Sequence, residues 1–165
     1  MRHISVLLNE SIDGLNIKQG DVVVDGTLGA GGHTLEIIRR FKDKVKIICL
    51  DLDSDAIERA KKIIDTTKGD IVYKMTGFQN IDEVLEELKI KKVNSILLDL
   101  GISSFQLEEG NRGFTFLKDE PLLMTLKKNP SNDDITAYQI VNTWSEESIA
   151  DIIYGFGEER YSRRI

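Results

Sequence analysis

Apolar and polar positions along this chain switch repeatedly between two periods. Val22-Val23-Val24, closed by Asp25, predicts a first strand, because a short β-branched run suits a buried extended segment. Leu35, Ile38 and Phe41 then share one helical face, predicting a helix from about His33 to Phe41. Val45 to Leu50 predicts the second strand. Ser54 to Ile64 predicts the next helix, with Ala56, Ile57, Ala60, Ile63 and Ile64 on one stripe and Asp53 or Ser54 as its cap. A shorter third strand is expected over Ile71 to Met75. Asn80 then precedes a helix carrying Ile81, Val84, Leu85 and Leu88, with Glu83 three residues on as in a capping box. The fourth strand, Ser95 to Leu100, is close to a continuous apolar run, as expected of a strand covered on both faces. Strand–helix alternation with buried strands predicts an α/β fold built on a parallel sheet.

After Gly101 the pattern changes. Residues 101 to 120 read as irregular and polar, with Gly110 and Gly113 flanking Asn111 and Arg112. From about Thr136 short helices are predicted to Val141, from Ser145 to Tyr154, and from Glu158 to the end, with Gly155 and Gly157 parting the last two. At the other end, Val6, Leu7, Leu8, Ile12 and Leu15 suit a lead-in helix or arm. Nothing strand-like follows the fourth strand, so it is expected to form an apolar edge. A second copy pairing there as a homodimer, or the helical tail folding over it, would cover that edge.

Composition narrows the function. The 165 residues suffice for one domain with a real core. A net charge of -6 argues against a uniformly basic nucleic-acid surface and leaves Arg160, Arg163 and Arg164 as a local basic patch. The single cysteine, Cys49, excludes an internal disulfide and a cysteine zinc cage, and its apolar setting suggests a buried inert thiol. His3 and His33 are far apart and lack a ligand set, so no metal is expected. Neither a signal peptide nor a membrane-spanning run is present, which makes the cytoplasm the expected compartment.

The candidate chemistry sits in Asp25-Gly26-Thr27-Leu28-Gly29-Ala30-Gly31-Gly32-His33, a glycine turn between the first strand and its helix. Such a turn lets a ligand approach bare backbone, and the helix start offers unpaired N–H groups to an anion. Asp51 closes the second strand, about 20 residues downstream, where a ribose-binding carboxylate would sit. A dinucleotide fingerprint wants a third glycine, and Thr34 stands there instead; a Walker loop wants a lysine, and none follows. The loop therefore suits a smaller anion, such as an amino-acid carboxylate. S-adenosylmethionine combines that group with a ribose diol, and Asp25 is placed to meet its cationic amino group directly or through water. A glycine turn with a distant acid also occurs as pure structure, and a nicotinamide-dependent oxidoreductase stays as a weaker reading.

Three segments read together are more specific. Val24 to His33, the run Ile96-Leu97-Leu98-Asp99-Leu100-Gly101-Ile102-Ser103-Ser104-Phe105-Gln106-Leu107, and Arg112-Gly113-Phe114-Thr115-Phe116 resemble the RsmH (MraW) family. The opening His3 to Glu10 and the closing Tyr154 to Tyr161 match it as well. The resemblance covers the first half of the family's pattern. It implies a Rossmann-like S-adenosylmethionine-dependent methyltransferase fold, with residues 1–105 binding the cofactor. Residues 106–165 would form a loop and the start of a helical, substrate-recognising insertion. The implied reaction is methylation of N4 of a cytidine in ribosomal RNA of the small ribosomal subunit, with no membrane partner.

Residue by residue, the resemblance implies that Gly31, Gly32 and His33 line the methionine end and that Asp51 takes the ribose hydroxyls. Phe78 would lie near the adenine, and Asp99 and Gln106 would close the pocket around the methyl donor. Each also has a plainer reading: His33 as a polar helix start, Phe78 as core, Gln106 as a solvated loop residue, Asp99 as a turn cap. Asp99, at the end of the fourth strand, is the candidate to accept a hydrogen bond and a proton from the cytosine amine. Phe105, Phe114 and Phe116 are candidate stacking surfaces for a base out of its helix. The chain departs from the family pattern where Leu123 and Thr125 replace an acidic and a basic residue and where Phe105 replaces a proline. It also stops inside what the family uses as a helical insertion; that stop, with Leu123 and Thr125, favours the alternative of a catalytically silent, truncated S-adenosylmethionine-binding module or fragment.

Overall fold

The computed structural model describes residues 5–165; His3 and Ile4 of the opening motif lie outside them. The chain divides into two compact units, Met1–Ser104 and Phe105–Ile165.

The first unit is a parallel sheet of four strands, β1 (Val22–Asp25), β2 (Lys46–Leu50), β3 (Asp70–Lys74) and β4 (Ser95–Leu97), in the order β3-β2-β1-β4. Helices α1 (Leu8–Gly14), α2 (Gly32–Phe41), α3 (Ser54–Ile64) and α4 (Ile81–Glu87) belong to it. Alternation along each strand sorts the core into two layers. Val23, Ile47, Cys49 and Leu97 pack with Ile12 of α1, Ile37 and Ile38 of α2, and Ile57, Ala60 and Ile64 of α3. Val24, Ile48 and Leu50 point to the opposite face and meet Val84 of α4. A sheet covered on both faces by crossover helices, with its order reversing at β1, is the Rossmann-like α/β arrangement the periodicity predicts. Asp53 caps α3 by accepting from the Asp55 N–H at 3.0 Å. Cys49 is fully buried, which pushes its thiol well above the ordinary range.

Three details differ from the sequence reading. The fourth strand stops at Leu97, because β1 ends at Asp25 opposite Leu97 and residues 98–100 have no ladder to continue. The run from Ser95 to Leu100 is not covered on both faces: Ile96 in the strand, and Leu98 and Leu100 beyond it, are 46%, 45% and 69% exposed. Among the described residues β4 is a sheet edge. Second, the Asn80–Glu83 capping box does not form. A 3-10 turn over Phe78–Asn80 runs straight into α4, and the Asn80 side chain donates instead to Thr76 Oγ1 at 3.0 Å.

Third, the expected irregular stretch contains a short helix, α5 (Ser104–Glu108), and the expected last helix is only a 3-10 turn over Ser162–Arg164. The second unit otherwise holds α6 (Ala137–Thr143) and α7 (Glu146–Gly155). Thr136 and Gln139 form a reciprocal capping box on α6, and Ser145 caps α7. Between α5 and α6 the chain is organised by Arg112, whose buried guanidinium donates to the backbone carbonyls of Thr125 and Leu126. The Met124 N–H donates back to the Arg112 carbonyl at 2.7 Å. Leu123 takes part through its main chain, accepting from the Ala137 N–H at 3.0 Å. No helix among the described residues is long and apolar enough to cross a membrane.

Candidate cofactor site

Strand register decides which side chains meet at the carboxyl edge of the sheet. Asp25 pairs with Cys49 on one side and Leu97 on the other. Two residues beyond those partners stand Asp51 and Asp99, so both acids flank the end of β1, where the glycine turn begins. Ligands of open parallel sheets gather at such a point.

The turn is fastened to both neighbouring strands. On the β4 side, the Gly26 N–H donates to the Leu97 carbonyl at 2.9 Å, and the Asp99 N–H donates to Thr27 Oγ1 at 2.7 Å. On the β2 side, the Leu28 N–H donates to the Leu50 carbonyl at 3.0 Å and the Gly29 N–H to Asp51 Oδ2 at 2.7 Å. Asp51 Oδ1 accepts from the Asp53 N–H at 2.8 Å. Each carboxylate oxygen has two acceptor directions, so both retain one for a ligand hydroxyl. Partial burial raises the Asp51 pKa, an effect the two backbone N–H groups oppose.

The turn's glycines do different jobs. Gly31, at φ +78°, precedes α2, and a Cβ there would lie 2.9 Å from Ile64 Cδ1 and 3.1 Å from the Ala60 Cβ. Close packing of α2 on α3 therefore requires it, apart from any ligand. A Cβ on Gly32 would collide with the Ser5 hydroxyl, so that face of the turn is covered by the chain itself. His33, in the first turn of α2, is buried, and its Nε2 has no hydrogen-bond partner among the described residues. Buried polar atoms are ordinarily paired, so an orphan beside a glycine turn fits a group supplied from outside. Phe78 stands where β3 gives way to α4; its Cβ lies 3.2 Å from where a Gly26 Cβ would be, and its ring is partly exposed. Asp99 is exposed.

Asp25 departs from the expectation that it meets the cofactor. It is 1% exposed and points to the α2 face of the sheet, where Oδ2 accepts from Thr34 Oγ1 at 2.6 Å and Oδ1 from the Thr27 N–H at 3.2 Å. Burial raises its pKa, and the hydroxyl and amide bonds oppose that rise. Thr34 Oγ1 also lies 3.5 Å from Cys49 Sγ. In the sequence Thr34 is conspicuous only as a missing glycine; in the fold it holds Asp25 under the turn. A carboxylate at a strand end nine residues before a helical threonine was the available signal. Thr27, the latch on Asp99, carried no signal of its own.

Gly31, Gly32, His33, Asp51, Phe78 and Asp99 thus all belong to the first unit, around the ends of β1, β2 and β4. Gln106 belongs to the second unit, where it is buried in α5. Phe116 is almost wholly exposed, while Phe105 and Phe114 are half-buried.

Sheet order, glycine turn and flanking acids make the first unit a Rossmann-like α/β domain with its ligand edge at the end of β1. The MraW methylase family model matches residues 1–165, and the chain belongs to that family. Ribosomal RNA small subunit methyltransferase H of Clostridium botulinum (strain Kyoto / Type A2) is 46% identical over 164 residues, 99% of this chain and 52% of that protein. The corresponding protein of Clostridium botulinum strain 657 / Type Ba4 is 45% identical over the same shares. The chain therefore spans about half the length of these curated relatives. A solved structure of an rRNA methylase from Streptococcus thermophilus is similar at 20% identity and a TM-score of 0.48, over 65% of this chain and 62% of that one.

Proposed function

We propose that this chain binds S-adenosylmethionine at the end of β1 and supplies the donor site for methylation of N4 of a cytidine in small-subunit ribosomal RNA. Two observations carry the reading: the Gly29 amide pairs with Asp51, and the buried His33 Nε2 has no partner among the described residues. Asp51 would hold the ribose hydroxyls on the free acceptor directions of its carboxylate. Gly31, Gly32 and His33 would receive the methionine end, and Phe78 would lie along the adenine. Gln106, in the second unit, is the remaining residue that the family resemblance assigns to the donor. A protein acting on ribosomal RNA with these parts works in the cytoplasm.

When bound, the donor supplies an electrophilic methyl on a sulfonium, open to in-line displacement. The chain's own contribution is positioning and proton handling. The cytosine amine is a poor nucleophile because its lone pair is delocalised into the ring. Asp99 accepts a hydrogen bond from that amine, favouring a pyramidal nitrogen, and takes its proton as the new N–C bond forms. Thr27 fixes the backbone of Asp99 beside the turn. The target base must leave its stack to reach the methyl.

Calorimetry of the chain with S-adenosylmethionine and with NAD tests the cofactor. Binding of the first alone is expected, and binding of NAD alone overturns the reading. Transfer of a labelled methyl group to small ribosomal subunits, abolished by Asp99→Ala, is the expected result for the reaction. Cofactor binding without transfer would instead leave a silent S-adenosylmethionine-binding module.

A further inference from the structure

After α7 the second unit reverses direction and lays its last residues against that helix. The Gly157 N–H bonds the Ile152 carbonyl at 3.4 Å, Glu158 takes a left-handed φ of +54°, and Arg163 Nη2 reaches Asp151 at 2.8 Å. The reversal creates a hollow of about 410 Å³ lined by Tyr154, Arg160, Tyr161, Ser162, Arg163 and Arg164. Three guanidinium groups and two tyrosines face it, with no carboxylate in its lining. Asp151 balances Arg163. Among the described residues Arg160 and Arg164 enter no ion pair; they lie over the Tyr161 ring, at 5.0 and 5.5 Å from its centre. Glu159 forms no ion pair with them among the described residues; its Oε1 accepts from the Tyr161 N–H at 2.7 Å.

Stacking on a ring restricts an arginine and leaves its N–H fork free for an anion. Tyr154 is more than half exposed and neither arginine lies over its ring, so its π-face is available next to two positive charges stacked on Tyr161. On a chain of net charge -6, that combination is a local feature rather than a general basic surface. Guanidinium beside aromatic face is the recognition chemistry of single-stranded nucleic acid: phosphate on the fork, base on the ring. An acidic peptide would use the charges and leave the rings idle.

We infer that the hollow formed by Arg160, Arg164, Tyr154 and Tyr161 binds single-stranded RNA, one phosphodiester on the arginines and an unstacked base on a tyrosine. The inference rests on the RNA reading above but concerns residues other than those proposed to hold the cofactor, and its test is read without S-adenosylmethionine. A labelled mixed-sequence RNA decamer is titrated with the full chain across a series of salt concentrations, following anisotropy.

The double variant Arg160→Ala/Arg164→Ala is expected to bind at least tenfold more weakly. It should also flatten the plot of log affinity against log salt by about 0.7 for each phosphate no longer neutralised. Tyr154→Ser should weaken binding at every salt concentration by a similar factor and leave the slope unchanged, because stacking releases no counterions. Circular dichroism and cofactor binding identical to those of the parent chain certify that the variants are folded. Unchanged RNA affinity in the folded arginine variant overturns the inference, as does a phosphopeptide binding as tightly as the RNA. Absence of cofactor binding by the parent chain, with RNA binding intact, would sink the proposed function and leave this inference standing.

Discussion

The main-chain N–H of Gly29 donates to Oδ2 of Asp51 across 2.7 Å, joining the turn after β1 to the acid that follows β2. The carboxylate proposed to take the ribose is therefore already fixed in place, and the turn cannot shift without releasing it. Removing the carboxylate should harm both functions at once. Asp51→Ala is expected to weaken S-adenosylmethionine binding more than tenfold, or about 1.4 kcal/mol. It should also lower folding stability by about 1–2 kcal/mol, since two N–H groups lose their acceptor. Asp51→Asn, which keeps one acceptor oxygen, should fall between. Calorimetry and urea titration read the two effects, and an unaltered cofactor affinity would remove Asp51 from the site.

Gly31 is expected to fail for a reason unrelated to ligand. Its φ of +78° and the 2.9 Å that would separate any added Cβ from Ile64 Cδ1 both oppose substitution. Gly31→Ala should cost about 1–3 kcal/mol through strain and overpacking. Combining it with Ile64→Val should recover part of the steric cost but none of the backbone cost, leaving the double variant more stable than the sum of its parts. Strict additivity in thermal melts would show that α2 and α3 do not touch there.

Thr34→Val tests the buried pair beneath the turn. Asp25 holds its proton more tightly in the folded chain than in the unfolded one, whose carboxyl lies near 3.8. Folding stability contributed by this group therefore falls as pH rises from that value through the folded one. Thr34 softens the fall, because its hydroxyl donates to the charged carboxylate. The valine variant should lose about 1–2 kcal/mol, and its deficit against the parent should be larger at pH 8 than at pH 5. Denaturant titrations at the two pH values decide it; a deficit that shrinks with rising pH would reverse the assignment.

The β4 edge gives a contrast between neighbours. Leu97 is buried beside Val23 and Cys49, whereas Ile96 is nearly half exposed on the outer rung. Leu97→Ala should cost about 2–4 kcal/mol, while Ile96→Lys should stay within about 0.5 kcal/mol. Should two copies pair along this edge, sedimentation would show a dimer that the lysine variant disperses. A dimer that survives Ile96→Lys uses another surface.

The elements of the first unit are legible in the sequence because their signals are local and strong. β1, α2, β2 and α3 are each set by a β-branched run or a full apolar stripe, and Asp53 sits where a cap belongs. Differences arise where tertiary partners decide. Ser95 to Leu100 reads as one strand, yet its length is set by β1, which ends at Asp25. Asn80 reads as a cap, but Thr76 competes for its side chain. Within the candidate site, Asp51 and Asp99 can be found by counting from strand ends. Asp25 cannot be placed correctly that way, because its inward orientation follows from the pleat and from a threonine on the next helix. Gly31 illustrates the opposite limit: a residue with a motif role has a packing role that the motif does not mention.

Arg112 grips Thr125 and Leu126 by their carbonyl oxygens, and the Met124 amide returns the bond. Every amino acid carries those oxygens. The bonds that hold this bend therefore need no charged side chain at positions 123 and 125. An altered spelling there, such as Leu123 and Thr125, leaves the scaffold of the second unit intact.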